Sequence, residues 1–231
     1  NMLSSDFSEQ IENYERPIKC LSCSKKDNEC TNFDEEKCEE EKIQVNSQIK
    51  MIDMDRIKEK INKESQSVDG MYLNTETQSI HLVEFKDADW EFANNVDFQE
   101  IRVGVSSLDT NAKVNIEKMI KKICKHKEKE FKNSLKLKAL ESLLLLVPKI
   151  LNKEKCKDYS KNLIIVMRDP TIMLSNRVDT SDNIQKERLK HKTDHISIMN
   201  KQIKKYRNVI FKTANVCTPN QFEKEFLKLF K

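Results

Sequence analysis

Residues 67–89 constrain the fold more than any other stretch of the chain. Two short apolar runs, rich in residues that favour β-strands, flank a polar segment at residues 74–79. The apolar positions are Met71, Leu73, Ile80, Leu82, Val83 and Phe85. Strand-forming runs on both sides of a polar turn predict a β-hairpin. A fold for this chain must therefore accommodate an antiparallel pair of strands.

Three chemically useful side chains fall on this hairpin, with Asp69 on the first strand and Glu84 and Lys86 on the second. Side chains alternate between the two faces of a strand, so Glu84 and Lys86 leave one face while Val83 and Phe85 leave the other. Antiparallel pairing brings Asp69 level with Glu84 and Lys86, because directly opposed residues have Cβ atoms about 5 Å apart. The sequence thus predicts two carboxylates and one ammonium group at one place.

A cluster of this kind indicates a particular chemistry. Carboxylate oxygens bind hard divalent cations, and Mg²⁺ commonly uses one or two protein carboxylates while keeping several water molecules. The Lys86 ammonium group could orient or help deprotonate one of those waters, or stabilise the charge that develops on a phosphate. This is the chemistry of phosphodiester hydrolysis. The alternative is a hairpin whose Glu84 and Lys86 form only a solvated pair, worth about 0–1 kcal/mol.

The arrangement resembles the PD-(D/E)xK nuclease superfamily, which has the restriction-endonuclease-like fold. The motif of that superfamily is an Asp at a strand end, a spacer, and then Asp or Glu, any residue and Lys on the next strand. Here Asp69 is followed after fourteen residues by Glu84-Phe85-Lys86, and the apolar run 80–83 precedes the Glu as is usual in the family. The motif is short, and the resemblance covers only the central part of the chain.

The resemblance implies an α/β fold with a mixed central sheet flanked by helices. It also implies Mg²⁺ or Mn²⁺ held by Asp69 and Glu84, with the backbone carbonyl of Phe85 as a further ligand. Lys86 would position or activate the attacking water, so that Asp69, Glu84 and Lys86 are the expected catalytic residues. A metal-dependent nuclease acting on DNA is the function that follows.

Two departures from the family pattern leave another function open. Val68 stands where the superfamily motif has Pro. Many members also take a Glu ligand from the helix before the hairpin, and the candidates here are Glu59, Glu64 and Glu41, each of which could equally be a solvated helix residue. The alternative function is a catalytically inactive module on the same fold that binds nucleic acid or a protein partner.

Composition excludes several classes of protein. The chain has two glycines in 231 residues, so a glycine-rich phosphate loop or dinucleotide fingerprint is absent. No apolar run reaches the length of about 18 residues that a membrane span needs, and no signal-peptide pattern is present. We therefore expect a cytoplasmic protein without a membrane partner.

Charge is distributed unevenly along the chain, although the net charge is only +4. Residues 113–157 hold fourteen lysines and five glutamates, whereas residues 1–64 are acidic. A basic half of this kind indicates a polyanionic partner such as DNA. It could also reflect a lysine-rich composition without a partner. A homo-oligomer is compatible with the sequence.

Four of the seven cysteines, Cys20, Cys23, Cys30 and Cys38, lie close together near the N-terminus. A CxxC pair supplies two thiolates for a tetrahedral Zn²⁺, and two further cysteines could complete the site. There is no second CxxC, so the alternatives are a loop with reduced, inert cysteines or an iron–sulfur cluster. Disulfides are disfavoured in a cytosolic chain.

These patterns predict two regions. Residues 2–42 form an N-terminal helix (residues 3–16) and a cysteine-rich acidic segment, and residues 43–231 form the nuclease-like α/β domain. Within that domain the sequence predicts the following elements. A helix is predicted across 35–66 from the helical spacing of Ile49, Ile52, Ile57 and Ile61. One or two helices with a basic outer face follow at 112–151, and a closing helix at 219–231. The predicted strands are a buried one at 163–168 and a short one at 209–211.

Overall fold

The computed structural model describes residues 11–23, 43–86, 110–151, 153–167, 196 and 199–230. They contain a six-stranded mixed sheet in which neighbouring strands follow the order of the sequence. Its strands are β1 (Glu15–Pro17), β2 (Lys50–Asp53), β3 (Gly70–Asn74), β4 (Ser79–Lys86), β5 (Ser160–Met167) and β6 (Thr213–Cys217). The α-helices include α1 (Ile18–Leu21), α2 (Met54–Ile61), α3 (Thr110–Glu141), α4 (Lys153–Cys156) and α5 (Pro219–Gln221).

Two helices extend beyond these bounds in other helical geometries. Helix α3 continues through a π-helical turn at Ser142–Leu146 into a last α-helical turn at Val147–Ile150. Helix α5 continues through a π-helical turn at Phe222–Phe226 and a 3₁₀ turn at Leu227–Phe230. The closing helix predicted at 219–231 is therefore present.

The sheet changes direction at β4. Strands β1 to β4 pair antiparallel, whereas β4–β5 and β5–β6 pair parallel. Parallel neighbours need a long crossover connection, and α3 lies in the connection between β4 and β5. The sheet and its helices confirm the predicted α/β class with a mixed sheet.

The chain divides into two units. One comprises residues Asn1–Asp87 and Lys138–Lys231, and the other comprises Ala88–Leu137. All six strands belong to the first unit, as does the last turn of α3. In the second unit the structure describes residues 110–137, which are the greater part of α3.

The predicted hairpin is β3–β4. Gly70 pairs with Val83 and Asn74 with Ser79, so the turn is one residue tighter at each end than the polar segment 74–79. The Asn74 side chain fixes the turn, because its Oδ1 accepts a hydrogen bond from the Thr77 backbone N–H at 2.9 Å. This side-chain turn is typical of Asn at such positions.

Two predicted elements differ from the structure. A helix is predicted across 35–66, of which 35–42 lie outside the described residues. The described part contains a strand, β2, and then the shorter helix α2, because Ile52 pairs with Met71 in the sheet. Asp53 ends the strand and caps α2, since its Oδ1 accepts from the Arg56 N–H at 3.1 Å. The last strand is β6 rather than residues 209–211. Val209 and Ile210 belong to a turn that follows the left-handed Asn208, and Phe211 forms only an isolated bridge with Arg207.

The N-terminal segment contributes to the sheet. The described part of the helix predicted at 3–16 is one 3₁₀ turn, Ile11–Tyr14, followed directly by β1. Residues of β1 pair with β2, and Ile18 of α1 is fully buried in the core of the first unit. Residues 15–23 thus join the same sheet and core as the domain predicted to begin at residue 43.

A hydrophobic core covers one face of the sheet. Val83 and Phe85 of β4 contribute to it together with Ile164 and Val166 of β5, and the fully buried Phe222, which follows α5, packs in the same cluster. The Phe85 and Phe222 rings meet edge to face at 5.9 Å between centroids. Within the described residues, no helix is long and apolar enough to cross a membrane.

Phe222 is fully buried, so its truncation tests this core. We expect Phe222→Ala to lower the free energy of unfolding by about 3–5 kcal/mol, because a large ring leaves a cavity that the surroundings fill only in part. Urea denaturation measures the change. Val209→Ala is the control, since Val209 is 78% exposed and its truncation should cost less than about 0.5 kcal/mol. Equal losses for the two variants would contradict the placement of Phe222.

His81 is a buried polar residue on the core-facing side of β4. Its Nε2 lies 2.9 Å from Ser79 Oγ, and its ring packs edge to face against Phe230. Burial lowers the pKa of His81 from 6.5 to about 4, because the charged imidazolium would lose its hydration. The folded protein therefore holds this histidine neutral.

The unfolded chain takes up a proton at His81 near pH 6.5, whereas the folded protein does so only near pH 4. Stability should consequently fall as the pH drops through this window, by up to about 3 kcal/mol from this one group. Urea denaturation between pH 7.5 and pH 4.5 measures this loss, and His81→Leu should show a smaller one. An identical pH dependence in the two proteins would refute the assignment.

Candidate functional site

Asp69 lies immediately before β3 and faces the end of β4. Gly70 pairs with Val83, so the same register places Asp69 opposite Glu84. Asp69 is 3% exposed, and its Oδ2 accepts a hydrogen bond from the Phe85 backbone N–H at 2.6 Å. The backbone of β4 thus fixes the Asp69 carboxylate just before the start of β3.

Glu84 and Lys86 lie on β4, on the face opposite to the core of Val83 and Phe85. Glu84 is 1% exposed, and Lys86 Nζ lies 2.6 Å from its Oε1. The Lys86 side chain remains 25% exposed. The hairpin therefore brings Asp69, Glu84 and Lys86 together, with both carboxylates buried and the lysine side chain partly exposed.

A second lysine, Lys138 of α3, completes the cluster. Its Nζ lies 2.9 Å from the same Glu84 Oε1 and donates a hydrogen bond to it. The sequence interpretation missed Lys138 because it treated the lysines of this helix together as a basic outer face. One signal was available: Lys138 lies at the edge of the helix face that carries the buried residues Leu135, Ala139 and Ser142.

The end of α3 also holds the loop that carries Asp69. Ser142 is fully buried, and its Oγ accepts a hydrogen bond from the Val68 backbone N–H at 2.9 Å. The neighbouring Glu141 carboxylate accepts one from the Gln66 backbone N–H. Because Lys138 is one helical turn before Ser142, these bonds set the position of Lys138 relative to Asp69 and Glu84.

The electrostatics of the site centre on Glu84. Burial raises the pKa of Glu84, and the nearby negative charge of Asp69 raises it further, while Lys86 and Lys138 oppose both effects. Its second oxygen, Oε2, is buried and has no hydrogen-bond partner in the described part of the chain. A buried carboxylate oxygen without a partner is costly, so Oε2 is suited to accept a cation or a hydrogen-bond donor.

The other predicted acidic ligands lie elsewhere. Glu59 and Glu64 are exposed, on α2 and in the turn that follows it, and Glu41 lies outside the described residues. The buried acid Asp53 is held by Arg16, whose Nε lies 3.2 Å from Asp53 Oδ2. Among the described residues, no group of three or more His, Cys, Asp or Glu side chains is placed to hold a metal ion.

Two of the four cysteines of the predicted zinc site lie outside the described residues. Cys20 is half-buried and Cys23 buried, and both are free thiols rather than disulfides. Cys30 and Cys38 lie in the part of the chain that the structure does not describe. The binding of Zn²⁺ by these four cysteines stays a prediction.

Comparison with known proteins gives no relative of this chain. No protein-family model matches it, and neither a curated protein sequence nor a solved structure matches it either.

The two lysines should contribute to stability together. We expect Lys86→Met and Lys138→Met to lower the free energy of unfolding by about 1–3 kcal/mol each at pH 7. The double variant should lose about 3–5 kcal/mol, because it leaves a buried carboxylate without a cation. Urea denaturation measures these changes.

Adding Glu84→Met to the double variant is the matched control. The triple variant removes the buried charge together with its partners, so its stability should return to within about 1 kcal/mol of the wild-type value or exceed it. A double variant as stable as the wild type would show that the lysines do not compensate the charge of Glu84.

Proposed function

We propose that this chain is a metal-dependent nuclease that hydrolyses phosphodiester bonds in DNA. The observation that carries the proposal is the cluster at the end of β4, where two buried carboxylates, Asp69 and Glu84, adjoin the partly exposed Lys86 side chain. Buried carboxylates beside a solvent-accessible lysine form a site that can bind a cation and contact a phosphate at once.

The donors present fit one divalent ion of the Mg²⁺ or Mn²⁺ type. Glu84 Oε2 is buried without a hydrogen-bond partner among the described residues, and Asp69 supplies a second carboxylate opposite it. The Phe85 N–H faces Asp69, and a strand residue directs its N–H and C=O to the same edge, which makes the Phe85 carbonyl a suitable third donor. When bound, the ion would acidify a water molecule and stabilise negative charge on the phosphate.

The lysines have separate tasks in this proposal. Lys86 positions the attacking water or stabilises the charge that develops on the phosphate, since its side chain is 25% exposed and its ammonium group adjoins Glu84 Oε1. Lys138 acts as a positioning residue, because it also contacts Glu84 Oε1. With both lysines on Oε1, the other carboxylate oxygen, Oε2, points away from them. The attachment of Lys138 through α3 keeps the carboxylate in place before a metal ion arrives.

The architecture supports the resemblance to the PD-(D/E)xK superfamily. Helix α2 precedes the hairpin, and the long helix α3 leads to β5, which lies parallel to β4. A mixed sheet with helices is the fold that the resemblance implies. Asp69 lies just before β3, and Glu84 and Lys86 lie on β4, which is compatible with the motif.

One observation favours the alternative of a catalytically inactive binding module. Glu84 is already compensated by two lysines, and the described residues provide no third acidic side chain for a metal. A site of this kind could be kept for its structural ion pairs alone. Cleavage assays distinguish the two functions.

We expect the purified chain to cleave DNA with Mg²⁺ or Mn²⁺ and not with EDTA. Asp69→Asn, Glu84→Gln and Lys86→Ala should each lower the cleavage rate at least about 100-fold, because each removes a charge that stabilises the transition state. The assay uses plasmid DNA together with labelled single-stranded DNA and RNA, which also identifies the preferred substrate.

The control is Glu59→Gln, which neutralises an exposed carboxylate on the helix before the hairpin. It should keep the wild-type rate. If the wild-type chain cleaves nothing with either ion but binds these nucleic acids, the inactive module is the correct function. Cleavage that persists in Asp69→Asn and Glu84→Gln would refute the assigned site.

A further inference from the structure

Six lysines of α3 lie along one side of the helix. At 100° per residue, six positions between 118 and 136 lie within about 40° of one line along the helix, and all six are lysines. We call this set the lysine stripe. It consists of Lys118, Lys122, Lys125, Lys129, Lys132 and Lys136.

The stripe is accessible over its whole length. Five of its members are exposed, and Lys132 is half-buried. The stripe spans about 27 Å at a rise of 1.5 Å per residue, with a lysine about every 5 Å. Its members all belong to the unit Ala88–Leu137, so it is a surface of that unit by itself.

A helix face that is only solvated usually mixes charges of both signs. Consecutive lysines of the stripe are three or four residues apart, a spacing at which like charges repel and weaken the helix. The acids of this segment lie outside the stripe, at Glu117, Glu128 and Glu130. Glu130 pairs with His126 at 3.3 Å. Glu128 lies three residues after Lys125 and four before Lys132, so it can offset only part of the charge of the stripe. A row of six lysines with so few acids beside it favours an anionic partner that lies along it.

We infer that the lysine stripe binds the phosphate backbone of a nucleic acid, an inference that rests on the proposed function and gives the substrate a binding surface. A duplex carries one negative charge about every 1.7 Å of its axis when both strands are counted, so a length of about 27 Å offers several phosphates to the stripe. Lysines make such contacts as point charges without reading bases, and the stripe therefore binds without sequence specificity.

Salt dependence provides the test. The affinity of the full chain for duplex DNA, single-stranded DNA and RNA is measured in EDTA, so that no cleavage occurs, at several salt concentrations. The variant Lys122→Gln/Lys125→Gln/Lys129→Gln should bind at least about tenfold more weakly at 0.1 M salt. The slope of log K against log salt should become shallower by about 2–3, because three phosphate contacts release fewer counterions.

The matched control removes the same charge from another exposed place. Lys201→Gln/Lys204→Gln/Lys205→Gln neutralises three exposed lysines of the other unit and should leave affinity within twofold of the wild type. Circular dichroism should show unchanged helix content in both variants. Equal losses in both, or a loss in neither, would overturn the assignment of the stripe. So would binding to vesicles of anionic lipid without binding to nucleic acid.

The test separates this inference from the proposed function. A wild-type chain that binds through the stripe and cleaves nothing with Mg²⁺ or Mn²⁺ would keep the stripe and refute the nuclease. Metal-dependent cleavage by the stripe variant with an unchanged KM would keep the nuclease and refute the stripe.

Discussion

The candidate site depends on one interaction, the contact of the buried Glu84 carboxylate with two ammonium groups. Glu84 is 1% exposed, and a charge in such a place is unfavourable unless cations and hydrogen bonds compensate it. Lys86 from the same strand and Lys138 from α3 both reach Oε1, which leaves Oε2 buried and without a hydrogen-bond partner among the described residues. The two lysines thus compensate the buried charge of Glu84 through Oε1, and Oε2 is left to accept a cation or a hydrogen-bond donor. Stability and function would share the same atoms.

Other contacts of the first unit maintain this geometry. Asp69 is fixed by the Phe85 N–H, and the loop before it is fixed by Ser142 at the end of α3. On the opposite face of β4, Val83 and Phe85 anchor the strand in the hydrophobic core. One strand therefore separates a polar face that carries the site from an apolar face that carries the core. The core packs against the face of β4 opposite to the site. It therefore holds the strand in place although burial of the carboxylates costs hydration free energy.

Sequence was informative where the pattern is local. The hairpin with Asp69, Glu84 and Lys86 followed from strand alternation and a polar turn, and β5 followed from a continuous apolar run. The strand β2 was predicted to be helical, because Ile49 and Ile52 are spaced as on a helix while the sheet buries Met51 and Ile52 together. The last strand was predicted at 209–211, before the actual β6, because the polar Thr213 and Asn215 alternate with the apolar residues of β6 and hide the strand pattern. Lys138 was missed because it is fifty-four residues from Glu84, and only tertiary packing brings them together.

The most direct test of the account is where a metal ion binds. A crystal of the full chain soaked in Mn²⁺ and measured at an anomalous wavelength would locate it. The account predicts an anomalous peak about 2.0–2.3 Å from an Asp69 oxygen and from Glu84 Oε2. The absence of a peak at saturating Mn²⁺, with Glu84 still held by Lys86 and Lys138, would contradict the nuclease and leave the cluster as a structural ion-pair network.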